Sequence, residues 1–221
     1  MIVDIINQAL HSHSFSKALQ NEATGFYVQE SQSAIRFAVL HRLDHLIEPG
    51  ELNALINHSA PESFTSNPAF RKNCDLICIH HLSKLAEFKK SEERIFEIEE
   101  DPHFYKKYVL YYSDSEIEAI KGLNFNEIEK LISDKEQFDI YKQDPLAPSR
   151  YGAAAKLFIK LPFLKFHINK VDLPPLRSQI EEAVAEAELT RTYELLRKHD
   201  QTQIDELIME LIGDELEDFK D

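Results

Sequence analysis

Three carboxylates near the middle of the chain have a spacing that suits a metal-dependent nuclease. Asp75 heads one strand-like run, and Glu97 and Glu99 fall on a second run further along the chain. Carboxylates that meet across neighbouring strands can bind Mg²⁺, because carboxylate oxygens are ligands that this ion prefers. The lysine that usually follows such an acid two positions later is absent after Glu97 and after Glu99. A nuclease-like enzyme is therefore an alternative hypothesis, and an acidic edge that faces solvent or a partner is favoured.

Histidines and cysteines add little chemistry. His41 and His45 are spaced as zinc ligands on a helix, but the segment follows a predicted strand and lacks the glutamate of an HExxH motif. Cys74 and Cys78 would share one face of a strand, too far apart for a disulfide, and are expected to be small buried side chains. We therefore expect no metal ion.

Motifs for nucleotide binding and acyl transfer are absent. The five glycines, at positions 25, 50, 122, 152 and 213, are too dispersed to build a phosphate-binding loop. The sequence contains no GxSxG nucleophile motif. We therefore predict no catalytic residues and no cofactor, and the chain is not expected to be an enzyme.

The elements that would position these residues form an α+β or α/β fold. A helix is predicted from about residue 3 to residue 20, and two strands that begin after Gly25 are joined by a polar turn. A short helix is predicted over 51–57. Further strands are predicted at 75–79, 95–99 and 108–112. The expected architecture is an N-terminal mixed sheet of about four to five strands flanked by helices, followed by a helical C-terminal part.

The second half of the chain is predicted to be helical. Ser113 and Glu116 have the spacing of a capping box, and Gly122 suits the end of the helix that they begin. Further helices are predicted at 126–138, 151–161, 176–199 and 202–219. Pro174 and Pro175 indicate a boundary. We expect a mixed α/β domain over 1–172 and an acidic helical extension over 173–221.

The charge distribution limits the partners. The formal net charge is −14, and residues 181–221 hold fourteen Asp or Glu against four Lys or Arg. Such a field repels phosphates, so direct nucleic-acid binding through the C-terminal part is not expected. No secretory signal is recognisable, and no apolar stretch approaches the roughly 18 residues of a membrane span. A cytoplasmic protein without membrane contact is expected.

An apolar stripe on the last predicted helix needs a surface to cover it. Large side chains recur there at spacings of three and four on an otherwise acidic helix. The preceding helix or a groove on another protein could supply the surface. The stripe comprises Ile204, Leu207, Ile208, Leu211, Ile212 and Leu216, and the first five are candidate partner-binding residues.

The segment 98–112, with the sequence IEEDPHFYKKYVLYY, follows the strand at 74–79. In this region the chain resembles the middle components of bacterial ABC-three-component defence systems. These include the small subunit of Lamassu-type anti-phage complexes. The resemblance extends over about residues 20–170.

The resemblance implies a non-catalytic adaptor that links an SMC-like ABC ATPase subunit to an effector subunit, commonly a nuclease, in an anti-phage or anti-plasmid complex. The adaptor would restrain the effector within a hetero-oligomer, and the ATPase would sense DNA. The family supplies no catalytic residues. The resemblance implies a structural or partner-binding surface formed by Asp101, Pro102, Phe104, Tyr105 and Lys106, although burial of the aromatic residues in the core is an equal alternative.

Two other functions stay open. A nuclease-like enzyme would bind Mg²⁺ through Asp75 and Glu97 or Glu99. An acidic antitoxin-like inhibitor would use the C-terminal charge to capture a basic partner. The adaptor hypothesis differs from both because it places the reactive groups on other subunits.

Overall fold

A computed structural model describes most of the chain. The described residues are 1–31, 34–145, 147–165 and 176–198. The chain divides into two units, Met1–Phe166 and His167–Asp221, which are described separately. Within the described ranges no helix combines the length and the apolarity needed to cross a bilayer. The predicted stripe from Ile204 to Leu216 lies outside the described residues.

A mixed sheet forms the centre of the first unit. Its described strands are β1 (Ser16–Gln20), β2 (Thr24–Glu30), β3 (Ile35–Leu43), β4 (Cys74–Leu82) and β5 (Lys106–Ser113). The strands lie side by side in chain order, with β1, β2 and β3 antiparallel and β3, β4 and β5 parallel. The prediction of a mixed sheet of four to five strands flanked by helices is confirmed.

Helices cover both faces of this sheet. Parallel strands need long crossover connections, and these are α2 (Pro49–Ser59), α3 (Glu62–Thr65) and α4 (Phe88–Glu100), which pack on one face. A 3₁₀ turn, Leu85–Glu87, precedes α4. The helices that cover or flank the other face are α1 (Ile2–Ser12), α5 (Asp114–Ala119), α6 (Phe125–Ile132), α7 (Lys135–Gln143) and α8 (Arg150–Lys160).

Strand β4 is buried on both sides, as its continuous apolar sequence predicts. Cys74, Leu76 and Cys78 pack toward α2 and α4, whereas Ile77 and Ile79 pack toward α1 and α8. The two cysteines are free and buried, which confirms their interpretation as small core side chains. Burial raises the pKa of the Cys78 thiol to about 12.

The predicted strand at 95–99 is wrong, because these residues belong to α4. Ile95 and Ile98 are the buried side chains of that helix, and Phe88 lies seven residues before Ile95 on the same stripe. A short alternation of apolar and charged residues suits a strand as well as a helix. The parallel arrangement of β4 and β5 decides between them, since a crossover must fill this part of the chain.

Several other boundaries differ from the predictions. The first helix ends at Ser12, and 16–20 forms β1, whose side chains are all exposed and so leave no alternating pattern. The predicted helix at 126–138 is two helices, because Asp134 accepts hydrogen bonds from the backbone N–H groups of Glu136 and Gln137 and begins α7. The capping box at Ser113 and the glycine exit at Gly122, whose φ is 81°, are confirmed.

The described part of the second unit consists of α9 (Leu176–Glu186) and α10 (Thr190–Lys198). The helix predicted over 176–199 is therefore divided at a turn, where Glu188 has a φ of 59°. Arg177 on α9 forms an ion pair with Glu181 at 2.9 Å. The proposed boundary between residues 172 and 173 stays a prediction.

Candidate partner-binding loop

The loop between α4 and β5, residues 101–105, is built around a buried lysine. The side chain of Lys107 has no solvent exposure, and its Nζ lies 2.8 Å from Oδ2 of Asp101. The same Nζ donates to the carbonyl oxygens of His103 at 2.6 Å, Tyr105 at 3.2 Å and Asp101 at 3.4 Å. An ammonium group has three N–H donors, so the loop provides more acceptors than Lys107 needs. The lysine therefore fixes the path of the loop from inside.

Asp101 connects the loop to a second element. Its Oδ2 accepts a hydrogen bond from Nδ2 of Asn53, on α2, at 2.9 Å. Burial tends to raise the pKa of Asp101, but hydrogen bonds from Lys107 and Asn53 and the charge of Lys107 outweigh it, so the pKa is lowered. The carboxylate is thus ionised at neutral pH. Pro102 follows it, which restricts Asp101 to the extended conformation that ends α4.

Phe104 is the most unusual residue of the loop. Its φ is 64°, a left-handed conformation that costs a non-glycine residue about 1–2 kcal/mol. Its side chain is 46% exposed, and the guanidinium carbon of Arg71 lies 4.9 Å from the ring centroid. Strained backbone of this kind is found preferentially at functional sites. The loop therefore holds a large aromatic ring in solvent at a measurable local cost.

The other predicted residues of this loop divide between core and surface. Tyr105 is buried and packs against Phe70 with ring centroids 5.3 Å apart, and burial raises its pKa to about 12. Pro102 and Lys106 are exposed. Burial of the aromatic residues in the core was the alternative that the sequence left open. Tyr105 is buried in this way, whereas Phe104 is exposed. Partner binding by Asp101, Pro102, Phe104, Tyr105 and Lys106 stays a prediction.

Sequence reasoning missed the residues that hold the loop. Lys107 lies between Tyr105 and Val109 in the alternation of β5, and both of these neighbours face the core. That inward position was the one available signal that Lys107 is buried. The contributions of Asn53 and Arg71 come from contacts far apart in the chain, which no local pattern indicates.

The carboxylates considered for a nuclease do not come together. Asp75, on β4, accepts hydrogen bonds from Nε and Nη2 of Arg36 at 2.8 and 2.7 Å, and burial nevertheless raises its pKa. Its side chain alternates with Leu76, so it lies on the sheet face opposite α4. Glu97 and Glu99 are both on α4. The arrangement therefore gives Asp75 no partner carboxylate for a shared Mg²⁺.

Glu97 and Glu99 also have a basic partner each. Glu97 pairs with Arg94 at 2.6 Å. Oε1 of Glu99 accepts from the backbone N–H of Val109 at 2.7 Å and from Nζ of Lys160 at 2.5 Å. Among the described residues no group of three or more His, Cys, Asp or Glu side chains is arranged to hold a metal ion.

The two histidines with zinc-like spacing do not share a helix. His41 is a buried residue of β3, and its Nδ1 lies 2.8 Å from Oγ1 of Thr24. Burial lowers the pKa of His41, which favours the neutral ring. His45 is exposed beyond the end of that strand. The spacing of His41 and His45 is therefore explained without a metal ion, because His41 is a buried side chain whose ring nitrogen has a hydrogen-bond partner.

A cavity with a volume of about 610 Å³ lies near the end of β5. Glu116 and Lys156 line it and pair at 2.6 Å, with Nζ of Lys156 4.4 Å from the ring centroid of Tyr111. Glu116 also accepts a hydrogen bond from the backbone N–H of Ser113 at 3.0 Å. The two charges neutralise each other, so the cavity presents mainly apolar and aromatic surface.

The described loop lies inside a region with a recognisable family pattern. Residues 36–136 match the family described as "ABC-three component (ABC-3C) system Middle Component 1". Comparisons with curated proteins and with solved structures found no match. The family match confirms the resemblance to middle components that was stated from the sequence, whereas the more specific likeness to the Lamassu small subunit stays a prediction.

Proposed function

The chain matches the middle components of ABC-three-component systems over residues 36–136, and we propose that it is a non-catalytic adaptor subunit. It links an SMC-like ABC ATPase to an effector, such as a nuclease, in a cytoplasmic hetero-oligomer that acts against phage or plasmid DNA. Two features support this function. The matched family is one component of a multi-component system, and the matched segment contains a loop built to display a side chain.

The exposure of the Phe104 ring is the observation that carries the proposal. Large exposed aromatic side chains supply much of the binding energy at protein interfaces when a partner covers them. Here the loop backbone next to Phe104 is held by Lys107, which pairs with Asp101 and donates to the carbonyl oxygen of His103. A loop preorganised in this way loses little conformational freedom when it binds. This arrangement favours a contact surface over a catalytic centre.

The ionisable groups of the first unit support the same conclusion. The buried carboxylates Asp75 and Glu116 and the half-buried Glu99 are each paired with an arginine or lysine at 2.5–2.8 Å. General bases, nucleophiles and metal ligands need a side chain that can reach a substrate or an ion. These carboxylates instead stabilise the packing of β4, α4 and α5.

Co-purification with the other system components tests the proposal. The full chain is produced together with the ATPase and effector proteins of its own system. Its affinity for the ATPase is then measured for the wild type, for Phe104→Ala and for Phe96→Ala. Phe96 is a suitable control because it is 45% exposed but belongs to α4, where its ring lies 6.5 Å from that of Phe88. Phe104→Ala should weaken assembly at least tenfold, the size expected of an interface hot spot, and Phe96→Ala should have little effect. A wild-type chain that stays monomeric with all components present would contradict the adaptor function.

A second experiment addresses catalysis. The isolated chain should hydrolyse neither ATP nor DNA with Mg²⁺, Mn²⁺ or Zn²⁺ present. Divalent-metal-dependent cleavage by the homogeneous protein that disappears in Asp75→Ala would replace the adaptor with the nuclease hypothesis. Capture of a basic protein through the C-terminal part, without any ATPase contact, would favour the antitoxin-like inhibitor.

The C-terminal extension, residues 173–221, provides a second proposed contact. Its candidate residues are Ile204, Leu207, Ile208, Leu211 and Ile212. Leu207→Asp with Leu211→Asp should reduce assembly without changing the stability of the sheet. Unchanged assembly would assign the stripe to contacts within the chain.

A further inference from the structure

Three exposed cations lie next to Phe104, either in contact with its ring or near to it in the chain. Arg71 lies against the ring and also donates from Nη2 to Oδ1 of Asn57 at 3.2 Å, which fixes its position. Lys72 is the next residue, and Lys106 follows Phe104 by two positions at the start of β5. In the part of the chain that the structure describes, none of these three cations forms an ion pair with a carboxylate. We call Arg71, Lys72 and Lys106 the basic collar.

Most carboxylates near the collar are neutralised by other residues. Asp101 is held by Lys107 and Asn53, and Asp75 is held by Arg36. The charge of Lys106 still lowers the pKa of Asp75, although less than burial raises it. Glu100, at the end of α4, is the exposed carboxylate next to the loop. The collar therefore keeps an excess of positive charge on a chain whose net charge is −14.

We propose that Phe104 and the basic collar form a docking site for an acidic segment of a partner protein that carries an apolar side chain. The inference deepens the proposed adaptor function by naming the chemistry of the segment that the loop receives. Carboxylates of the segment would pair with Lys72, Lys106 and the outer edge of Arg71. An apolar side chain of the segment would cover the exposed face of Phe104. The left-handed backbone at Phe104 holds that ring against Arg71 before the partner arrives.

A protein partner explains the collar better than a nucleic acid does. Nucleic-acid sites are extended basic surfaces that follow a phosphate backbone over several nucleotides. The collar is short, and a long polyanion would run from it onto a chain that is acidic as a whole. A short acidic segment needs complementary charge only at the loop, because salt screens more distant charges within about 10 Å.

Two synthetic peptides and one oligonucleotide test the site directly on the full chain. The first peptide has about a dozen Glu residues with a central Leu-Phe pair, the second replaces that pair by Glu, and the oligonucleotide is oligo-dT of similar charge. Each carries a fluorophore, and anisotropy is measured at about 50 mM and about 200 mM salt. The Leu-Phe peptide should bind wild-type protein at least fivefold more tightly than the all-Glu peptide, and binding should weaken about tenfold at the higher salt.

Charge and ring are tested by separate variants. Lys72→Glu with Lys106→Glu should weaken both peptides about tenfold or more. Lys130→Glu with Lys135→Glu is the matched control, since both lysines are exposed and lie outside the collar, and it should change binding less than twofold. Phe104→Ala should remove the preference for the Leu-Phe peptide while all-Glu binding persists. Circular dichroism confirms that each variant is folded.

The outcomes separate this inference from the adaptor function. Equal binding by the collar variant and its lysine control would overturn the acidic docking site, even if the wild type co-purifies with the ATPase. Tighter binding of oligo-dT through the same residues would assign the collar to nucleic acid and would also overturn it. Peptide binding as expected, with no co-purification, would keep the docking site and reject the adaptor function.

Discussion

Lys107 and Lys156 each place a buried ammonium group beside a carboxylate, but the surroundings of the two ammonium groups differ. Nζ of Lys107 meets a carboxylate oxygen and three backbone carbonyl oxygens. Nζ of Lys156 meets one carboxylate oxygen of Glu116 and the ring face of Tyr111, and it makes no hydrogen bond of good geometry. The first lysine lies under a closed loop, and the second lines an open cavity.

The difference shows that the number of hydrogen-bond acceptors around a buried cation determines how strictly the surrounding backbone is fixed. An ammonium group whose donors are all used is bound to one backbone arrangement, since any other path of the loop would leave it desolvated and unpaired. An ammonium group with unused donors tolerates several arrangements around it. Lys107 therefore specifies a loop shape, whereas Lys156 balances the charge of Glu116.

The largest expected effect comes from removing Lys107. Lys107→Met keeps the apolar stem but leaves Asp101 without its cation and the loop carbonyls without a donor. Loss of one partner from a buried pair costs about 3–5 kcal/mol, so the free energy of unfolding in urea should fall by that amount. Lys106→Met, at the adjacent exposed position, should change it by less than about 0.5 kcal/mol. A loss below about 1 kcal/mol for Lys107→Met would mean that the loop does not depend on this lysine.

Removing Lys156 should have a smaller effect. Glu116 would keep its hydrogen bonds from the backbone N–H and the hydroxyl group of Ser113, so Lys156→Met should cost about 1–3 kcal/mol. The double variant with Glu116→Gln should recover part of this loss, because the unpaired charge is then absent. Equal losses for Lys156→Met and Lys107→Met in the same urea titration would remove the distinction between the two sites.

Strain at Phe104 is expected to be measurable by comparing two variants. Phe104→Gly adopts the left-handed backbone without a steric penalty, whereas Phe104→Ala retains most of it. The glycine variant should be more stable than the alanine variant by up to about 1 kcal/mol, since greater flexibility of the unfolded glycine chain offsets part of the gain. Thermal unfolding measures the difference. An alanine variant that is clearly more stable would show that the local backbone is not strained.

The acid dependence of stability should distinguish Asp101 from Asp75. The lowered pKa of Asp101 gives stability above the unfolded-state value of 3.8, and this stability is lost as the pH falls through the folded-state value. The raised pKa of Asp75 has the opposite sign, because the folded protein takes up that proton first. In urea titrations between pH 6 and pH 3, the free energy of unfolding of Asp101→Asn should therefore fall less steeply with decreasing pH than that of the wild type. The free energy of unfolding of Asp75→Asn should fall more steeply. The same change in slope for both variants would contradict these assignments.

The sequence predicts most of the sheet because burial leaves a local pattern. The runs that became β3, β4 and β5 contain apolar or aromatic residues in alternation or in a continuous stretch, and Ser113 with Glu116 forms the capping box that their spacing indicates. Strand β1 leaves no such pattern, since all of its side chains are exposed. The short apolar pattern at 95–99 suits a strand as well as a helix. Only the crossover that the parallel strands β4 and β5 require identifies this segment as part of α4.

The candidate site could be predicted only in part. The sequence indicates Asp101, Phe104 and Tyr105 as site residues. It does not predict that Tyr105 is buried and Phe104 exposed, since the left-handed backbone at Phe104 leaves no pattern in the sequence. Arg71 lies 33 positions before Phe104 in the chain, so their contact is a property of the fold. The collar therefore depends on two segments, 71–72 and 104–106, that only folding brings together.

Glu99 has a consequence for how the protein behaves at high concentration. By accepting the backbone N–H of Val109, its carboxylate occupies an outward-facing donor of β5, and Lys160 holds it there. An extended chain that approached this side would have to displace an ion pair before it could add to the sheet. The opposite border, β1, has a register irregularity between Lys17 and Leu19, a feature that impairs stacking of identical strands. Both borders of the sheet thus disfavour growth into fibres.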